Sequence, residues 1–433
     1  MRNIIGIRKE EKNEFEKRVA ITPSLAKKII GELGGKVLVE KSNLRIFNEE
    51  QYKQAGAKIV DNLTEADVIF GVKEIPLSSI LSKKTYVFFS HTVKGQKHNM
   101  PMLKKMIEEQ CTIIDYEKIS DKSGRRLIFF GKYAGYAGMF DALHAVGIRY
   151  KKEGIETPFV NIKLSKDYES LEEAKKSLRE AAYEISNKGI NSKLSPFFFA
   201  FLGYGNVSKG AQEIFDILPN KNIPPDMISQ FEISSTLDVY NLYKIVFKEE
   251  DLYRRKNDGR FNLNEYYEKP HLYESKFFEV FYKLPVVINC VYWNSNYPRL
   301  ITKDILKENM KRLKTKIIAD ISCDIEGAIE ITCRCSDLNE PYYTYDIEQD
   351  SYENGIQPKG INILAVDNLP CEFPIDSSEE FSRQLEPFMK EILNCDFSRQ
   401  FEELNLMPEI KNAIIVYKGK LTDNYKYLEN YLK

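Results

Sequence analysis

The chain has 433 residues, 43% of them hydrophobic and 29% charged, with 63 Lys and Arg against 64 Asp and Glu. That length suits two domains rather than one core, and the near-neutral balance gives no electrostatic case for nucleic acid or an anionic membrane surface. No apolar stretch approaches the ~20 residues of a membrane span, and the start, MRNIIGIRKEEKNEFEKR, lacks the apolar core of a secretion signal and is too acidic for a transit peptide.

The front of the chain alternates strand and helix signals. NIIGIR reads as a strand. TPSLAKKIIGELGG reads as a helix, with Thr22 as N-cap, Pro23 in the first turn and Gly34-Gly35 as its close. KVLVEK, ADVIFGVK, TYVFFSH and CTIIDYEK read as further strands, with helices over NEEQYKQAGA and MPMLKKMIEEQ between them. This alternation predicts a parallel sheet. Lys73 and His91 stand at the ends of two neighbouring strand signals, where open α/β sheets bind ligands. A buried lysine shifts toward neutrality and a histidine titrates there already, so the two suit a general acid/base pair; each also has an ordinary structural explanation. Arg18 in EKRVAITP, and Arg125 and Arg126 in SGRRLIFFG, carry guanidinium forks that fit either carboxylate ligands or surface ion pairs. Glu117 in DYEK can tune such cations.

Two helix-prone stretches follow, GYAGMFDALHAVGIRYKKEG, rich in small residues suited to tight packing, and the amphipathic SLEEAKKSLREAAYEISNKG. Then FFFAFLGYGNVSKGAQ runs from a buried strand into a glycine turn and a helix. Gly203 and Gly205 fill the first two places of the dinucleotide fingerprint, Ser208 stands in the third, and Gly210 lies two further on. The acidic residue expected about 20 positions later is missing: Asp226 has no convincing strand before it. Its absence favours NADP over NAD. Lys209 fits either a phosphate contact or a solvated helix position. The Tyr-rich segment YRRKNDGRFNLNEYYEKPHLYESKFF reads as an insertion or lid. LPVVINCVYW, KIIADIS and INILAVDNLP read as more strands, and the tail as helix that returns to the first domain. The seven scattered cysteines read as reduced thiols of a cytoplasmic protein, and Cys333-Arg-Cys335 has no second ligand pair at metal spacing.

The ordered set EKRVAITP, VIFGVKE, FFSHTVKGQ, IIDYEKI, GRRLIFFG, YAGYAGM, GNVSKGAQ, NCVYWNSNYPRLIT, ADIS and VDNLP resembles the saccharopine-forming lysine–2-oxoglutarate reductases, the reductase domains of the aminoadipic semialdehyde synthases. It is similar, more distantly, to the lysine-forming saccharopine dehydrogenases; both belong to the alanine dehydrogenase/transhydrogenase group. The resemblance covers residue ~3 to the early 420s and implies two Rossmann-like doubly wound α/β domains with an active-site cleft between them. The expected boundaries are 1–132 plus 368–433 for the substrate side and 133–367 for the dinucleotide domain, with an insertion near 224–282. Hydride transfer in such a cleft calls for closure that excludes water.

The resemblance also implies chemistry: condensation of L-lysine with 2-oxoglutarate and reduction of the imine by NADPH to saccharopine, without a metal. It matches Lys73 and His91 to the acid/base pair, with like charge depressing one of them. It matches Glu74 and Glu117 to modulating carboxylates, and Arg18, Arg125 and Arg126 to substrate-carboxylate binders. It matches Gly203, Gly205, Asn206, Val207 and Ser208 to the dinucleotide turn, and Asp324 to an aspartate near the nicotinamide. The lysine-forming branch looks shorter after the turn and carries an acidic residue fitting NAD. The animal enzymes' second, saccharopine-oxidising half and transit peptide have no counterpart here, which points to a cytoplasmic enzyme and a separate glutamate-forming saccharopine dehydrogenase as partner. The rivals are an NAD-dependent lysine-forming enzyme, an alanine dehydrogenase-like oxidoreductase and a catalytically silent metabolite- or partner-binding homologue.

Overall fold

The computed structural model describes residues 2–228, 230 and 238–432, and the chain divides into one unit of residues 1–130 with 374–433 and another of residues 131–373. Both units are α/β. In the first, β1 (Ile4–Ile7), β2 (Lys36–Glu40), β3 (Lys58–Val60), β4 (Val68–Phe70), β5 (Thr85–Phe88) and β6 (Thr112–Asp115) are parallel, in the order β3-β2-β1-β4-β5-β6. β4, β5 and β6 are buried along their whole length, which explains their unbroken apolar runs: a parallel sheet is covered on both faces. Helix α1 (Pro23–Gly31) starts where expected, the Thr22 side chain accepting from the Leu25 N–H, but ends three residues before Gly34. α2 (Glu49–Gln54) opens on an Asn48–Gln51 capping box, and α3 (Met100–Glu108) precedes β6. Strand β1 has β2 on one side and β4 on the other, so the chain direction across the sheet reverses there.

The second unit begins with α4 (Gly131–Lys152) and α5 (Leu171–Lys188), the latter capped by Ser170. β7 (Phe198–Leu202) then leads through the glycine turn into α6 (Asn206–Phe215). β7 pairs with β9 (Leu242–Phe247) on one side and β12 (Val286–Asn289) on the other. β8 (Asn220–Asn222) lies outside β9, and β13 (Ile317–Asp320) and β16 (Ile361–Leu364) continue beyond β12, all parallel. An antiparallel hairpin, β14 (Tyr342–Asp346) with β15 (Ser351–Asn354), closes the far edge. The Tyr-rich segment is not a free lid. It forms a two-stranded ribbon of β10 (Tyr253–Arg255) and β11 (Tyr273–Ser275), and Tyr253, Tyr266 and Tyr273 are 3%, 4% and 1% exposed within the unit's core. Of the expected insertion at 224–282, residues 229 and 231–237 lie outside the described residues.

Helices α4 and α6 cross in close contact. A Cβ on Gly135 would sit 2.0 Å from the Val207 carbonyl oxygen, and one on Gly210 would sit 2.2 Å from that of Lys132. Only glycine permits this approach. The glycine displaced from the fingerprint's third place thus serves helix–helix packing. Further along α4, Asp141 is fully buried and faces the buried Glu372. One oxygen of each would be unpartnered if both were ionised. Burial raises both carboxyls, and Glu372 goes highest because Asp141 accepts its proton.

The chain returns to the first unit through α7 (Pro374–Asn394). Val19 N donates to Ser378 Oγ at 3.0 Å and Asn3 Nδ2 to the Ile392 carbonyl at 2.8 Å. β17 (Ile414–Tyr417) then pairs antiparallel with β6, and β18 (Lys420–Leu421) with β17, completing an eight-stranded sheet.

Candidate active site

In the first unit, the loops after β1, β4 and β5 meet at the carboxyl ends of adjacent strands, the position where open α/β sheets bind ligands. Glu10, its side chain largely buried, accepts from the N–H groups of Val72 at 2.7 Å and Lys73 at 3.0 Å, tying the β1 loop to the β4 loop. Phe89 N donates to the Val72 carbonyl at 3.1 Å, tying β4 to β5. These bonds fix the backbone on which Lys73, Glu74 and His91 stand.

His91 takes a left-handed backbone (φ 48°), and its ring stacks on Phe89 at 6.0 Å between centroids. Its Nδ1 lies 2.7 Å from Glu74 Oε1. Lys12 Nζ donates to both Glu74 oxygens at 2.9 Å. Burial opposes the Glu74 charge, but the hydrogen bonds from His91 and Lys12 outweigh it and hold the carboxyl far below the usual carboxylate range. Glu74 therefore stays ionised and orients the ring, leaving Nε2 to exchange a proton.

Lys73 makes no ion pair among the described residues. Its amine is pushed below the usual lysine value, first by burial and then by the charges of Arg18 and Lys12, while Glu16 and Glu74 oppose the shift. The depressing like charges are thus Arg18 and Lys12; His91 is engaged with Glu74. The lowered value makes the neutral, proton-accepting form of this amine easier to reach than that of an ordinary lysine.

Arg18 is 2% exposed, and its fork closes on Glu16: Nε donates to Oε1 at 2.8 Å and Nη2 to Oε2 at 2.6 Å. Its guanidinium also lies 4.1 Å over the Phe130 ring. In this arrangement Arg18 acts on Lys73 as a charge, with two of its nitrogens already committed. Arg126 Nη2 donates to Glu117 Oε1 at 2.8 Å, whereas Arg125 is well exposed and binds Asp121 at 3.0 Å within its own turn. The structure brings Arg126 and Glu117 together and leaves Arg125 on a separate surface turn. Asp115 escaped the sequence reading. It is buried at the end of β6, and its carboxylate accepts from the Ser90 N–H at 3.0 Å, the Ser90 hydroxyl and the Glu117 N–H at 2.7 Å. It therefore ties the backbone before His91 to that of Glu117, and an Asp closing an apolar strand was its only signal.

In the second unit, the strand order reverses at β7. Gly203 there has φ 89°, and Gly205 caps α6 without any side-chain cap, its Cβ position opening on empty space. The first-turn N–H groups of Asn206, Val207 and Ser208 have no intrahelical partner. Buried Ser208 accepts from Gln212 Nε2 at 2.9 Å. A cavity of about 380 Å³ adjoins Gly203 and Gly205, walled by Tyr204, Tyr253, Tyr267 and Glu249 among others. Free amides at a helix N-terminus, a glycine cradle and an aromatic cavity fit the pyrophosphate and adenosine of a dinucleotide.

Glu249 is the second residue missed. It follows β9, the strand beside β7, and accepts from the Tyr267 hydroxyl at 2.9 Å. That is where a carboxylate meets a ribose 2′-hydroxyl. Asp226, considered instead, lies after the edge strand β8. The structure thus places a carboxylate that the sequence reading did not consider after the strand beside β7, 44 positions after Gly205.

Asp324 lies on the loop after β13, half-buried. The loop folds around Asp320, a third missed residue. Asp320 accepts from Asn289 Nδ2 at 2.8 Å and the Thr332 hydroxyl at 2.6 Å, and burial pushes its carboxyl up to about 6. Among the described residues, no group of three or more His, Cys, Asp and Glu side chains could hold a metal ion, and no helix is long and apolar enough to cross a membrane.

Residues 6–137 match the alanine dehydrogenase/PNT N-terminal domain and residues 271–424 its C-terminal domain. The chain is 35% identical over 98% of its length to the mitochondrial alpha-aminoadipic semialdehyde synthase of Mus musculus, covering 47% of that protein, and 35% identical to the Arabidopsis thaliana synthase, covering 41%. It thus spans about half the length of these relatives. It is 26% identical to the NAD(+), L-lysine-forming saccharopine dehydrogenase of Candida albicans, over 91% of this chain and 93% of that one. An L-alanine dehydrogenase shares the fold at a TM-score of 0.60 with 14% identity, over 99% of this chain and 100% of that one. A transhydrogenase from Sinorhizobium meliloti shares it at 0.57 with 15% identity, over 97% and 100%.

Proposed function

Because the chain belongs to the alanine dehydrogenase/PNT family, we propose that it is an oxidoreductase of lysine metabolism that joins L-lysine to 2-oxoglutarate and reduces the resulting imine to saccharopine. The observation that carries this reading is the depressed, unpaired Lys73 beside the Glu74-oriented His91. Condensation and dehydration need a base and then an acid; reduction of an imine needs a protonated nitrogen. Neutral Lys73 accepts a proton from the lysine ε-ammonium, freeing the amine to attack the 2-oxoglutarate ketone. His91 Nε2 donates to the carbinolamine oxygen, which leaves as water. Arg126, balanced by Glu117, supplies a cation for a substrate carboxylate. A nicotinamide dinucleotide held by Gly203, Gly205 and the start of α6 supplies the hydride. Arg18 tunes Lys73, and Arg125 is proposed only as an outer electrostatic contact. Asp324 is proposed to face the dinucleotide. The reaction is proposed to run in the cytoplasm, with a glutamate-forming saccharopine dehydrogenase activity consuming the product.

Two cofactor readings follow from different observations. The reductase-type motifs favour NADPH. Glu249, placed after the strand beside the glycine turn, favours NAD(H), because a carboxylate there bonds a 2′-hydroxyl and repels a 2′-phosphate. Initial rates of NADPH and NADH oxidation, with lysine and 2-oxoglutarate each omitted in turn, test the whole reading. Turnover requiring both substrates is expected, with kcat falling about 10²- to 10⁴-fold in Lys73→Met and His91→Ala while dinucleotide binding persists. Undiminished turnover in both variants refutes the assigned roles.

A further inference from the structure

The loop that wraps Asp320 also brings two of the seven cysteines together. Cys323 Sγ lies 3.4 Å from Cys335 Sγ, within hydrogen-bonding range. The scaffold holds them there through bonds that involve neither thiol. At one end, Cys323 N donates to the Asp320 carbonyl at 3.2 Å, directly after β13. At the other, Ser336 N donates to the Ala365 carbonyl at 2.6 Å, directly after β16. Between them, the Thr332 hydroxyl binds the Asp320 carboxylate. Strands β13 and β16 are neighbours, so the two ends of the loop, and with them the two thiols, are fixed side by side. Cys323 is held at φ 52°, a left-handed backbone that non-glycine residues rarely adopt.

The thiols differ in access. Cys335 is exposed and Cys323 is buried. The hydrogen bond from Cys323 holds the Cys335 thiol below its usual value, against the effect of burial, and the same contact raises Cys323. This asymmetry is that of an attacking thiol and a resolving thiol. A disulfide needs the sulfurs to close by roughly 1.4 Å to the usual bond length.

We propose that Cys323 and Cys335 form a redox-active dithiol that closes to a disulfide by exchange with a small-molecule disulfide such as oxidised glutathione. The Cys335 thiolate attacks one glutathione sulfur, breaking the glutathione S–S bond and releasing one glutathione thiolate. Cys323 loses its proton and attacks Cys335 Sγ, forming the protein disulfide and expelling the second thiolate. Two electrons pass from the protein to glutathione, and the two thiol protons end on the two reduced glutathiones. The closed form staples the segment that carries Asp324, and the proposal stands independently of which molecule the unit binds.

The test is on the full chain, equilibrated in buffers of oxidised and reduced glutathione, quenched with acid, and analysed by free-thiol titration and peptide mass mapping. The expected result is a loss of two free thiols from the seven, a peptide linking Cys323 to Cys335, and full reversal by dithiothreitol. Cys333→Ser keeps that behaviour. Cys323→Ser leaves Cys335 trapped as a mixed disulfide with glutathione. The proposal is overturned if wild-type Cys335 accumulates the mixed disulfide without the linked peptide, if the link involves Cys333, or if both thiols stay reduced across the buffers.

Discussion

Replacing Glu372 with glutamine gives the most quantitative prediction. Glu372 and Asp141 are buried face to face and share one proton, so the folded state retains a proton that the unfolded chain releases above the ordinary carboxyl value of 4.5. A carboxyl raised by folding stabilises most at low pH, and that contribution is lost as pH rises toward the folded-state value. The slope is about 1.4 kcal/mol per pH unit for one proton. As pH rises from about 5 the wild type should therefore lose stability that Glu372→Gln keeps, at up to about 1.4 kcal/mol per pH unit until the folded-state value is passed, because the glutamine amide donates to Asp141 without titrating. For a unit the size of residues 131–373 each such pH unit is worth a Tm difference of roughly 3–6 °C. The single tryptophan, Trp293, lies in that unit, so thermal melts followed by its fluorescence report the unit directly. The variant should match the wild type near pH 5 and exceed it near pH 7.5. Parallel Tm-against-pH curves for the two proteins would refute proton sharing.

Three further perturbations are as specific. Lys12→Ala removes a positive charge that depresses Lys73, so the rising limb of the pH–rate profile, which needs neutral Lys73, should move to higher pH; an unmoved limb contradicts the tuning. Glu249→Ala should raise KM for NADH about 10- to 100-fold, the worth of a charge-assisted hydrogen bond, and leave NADPH unaffected or improved; equal losses with both cofactors would remove Glu249 from the ribose. Gly210→Ala adds a Cβ 2.2 Å from the Lys132 carbonyl oxygen, a clash with backbone severe enough to cost about 2–3 kcal/mol, which outweighs the helix gain of about 1 kcal/mol. A Tm lowered by roughly 2–8 °C is expected in the Trp293-monitored melt, and an unchanged or raised Tm would show that α4 and α6 can separate freely.

The fold was legible because its signals are local. β4 to β7 are short apolar runs, and Thr22 and Ser170 mark helix starts by their own hydroxyls. The site was legible only in part. Lys73 and His91 stand at strand ends and were singled out there, whereas Glu74 came only from the family resemblance. Arg18 showed its fork in the sequence, but not that Glu16, two residues earlier, would fill it. Glu249 was hidden by chain length: the residue after the neighbouring strand depends on how many residues the chain spends reaching that strand. Gly210 showed in the sequence only as a glycine two places beyond the fingerprint, whereas it answers to the backbone of α4, more than 70 residues upstream. Partners distant in sequence leave no periodic trace.

The division of the first unit between the two ends of the chain sets the order of its folding. Residues 1–130 emerge from the ribosome long before α7 and β17, yet Asn3 binds the Ile392 carbonyl and β6 pairs with β17. At ~5–20 residues per second, the 264 residues from 130 to 394 take roughly 13–53 s to synthesise. During that interval β6 presents an unpaired edge and the helix-facing side of β1 lacks its cover. The second unit, continuous from 131 to 373, can close on itself first. The middle of the chain can thus mature while the beginning waits for the end, with the edge of β6 open to stray pairing until β17 arrives.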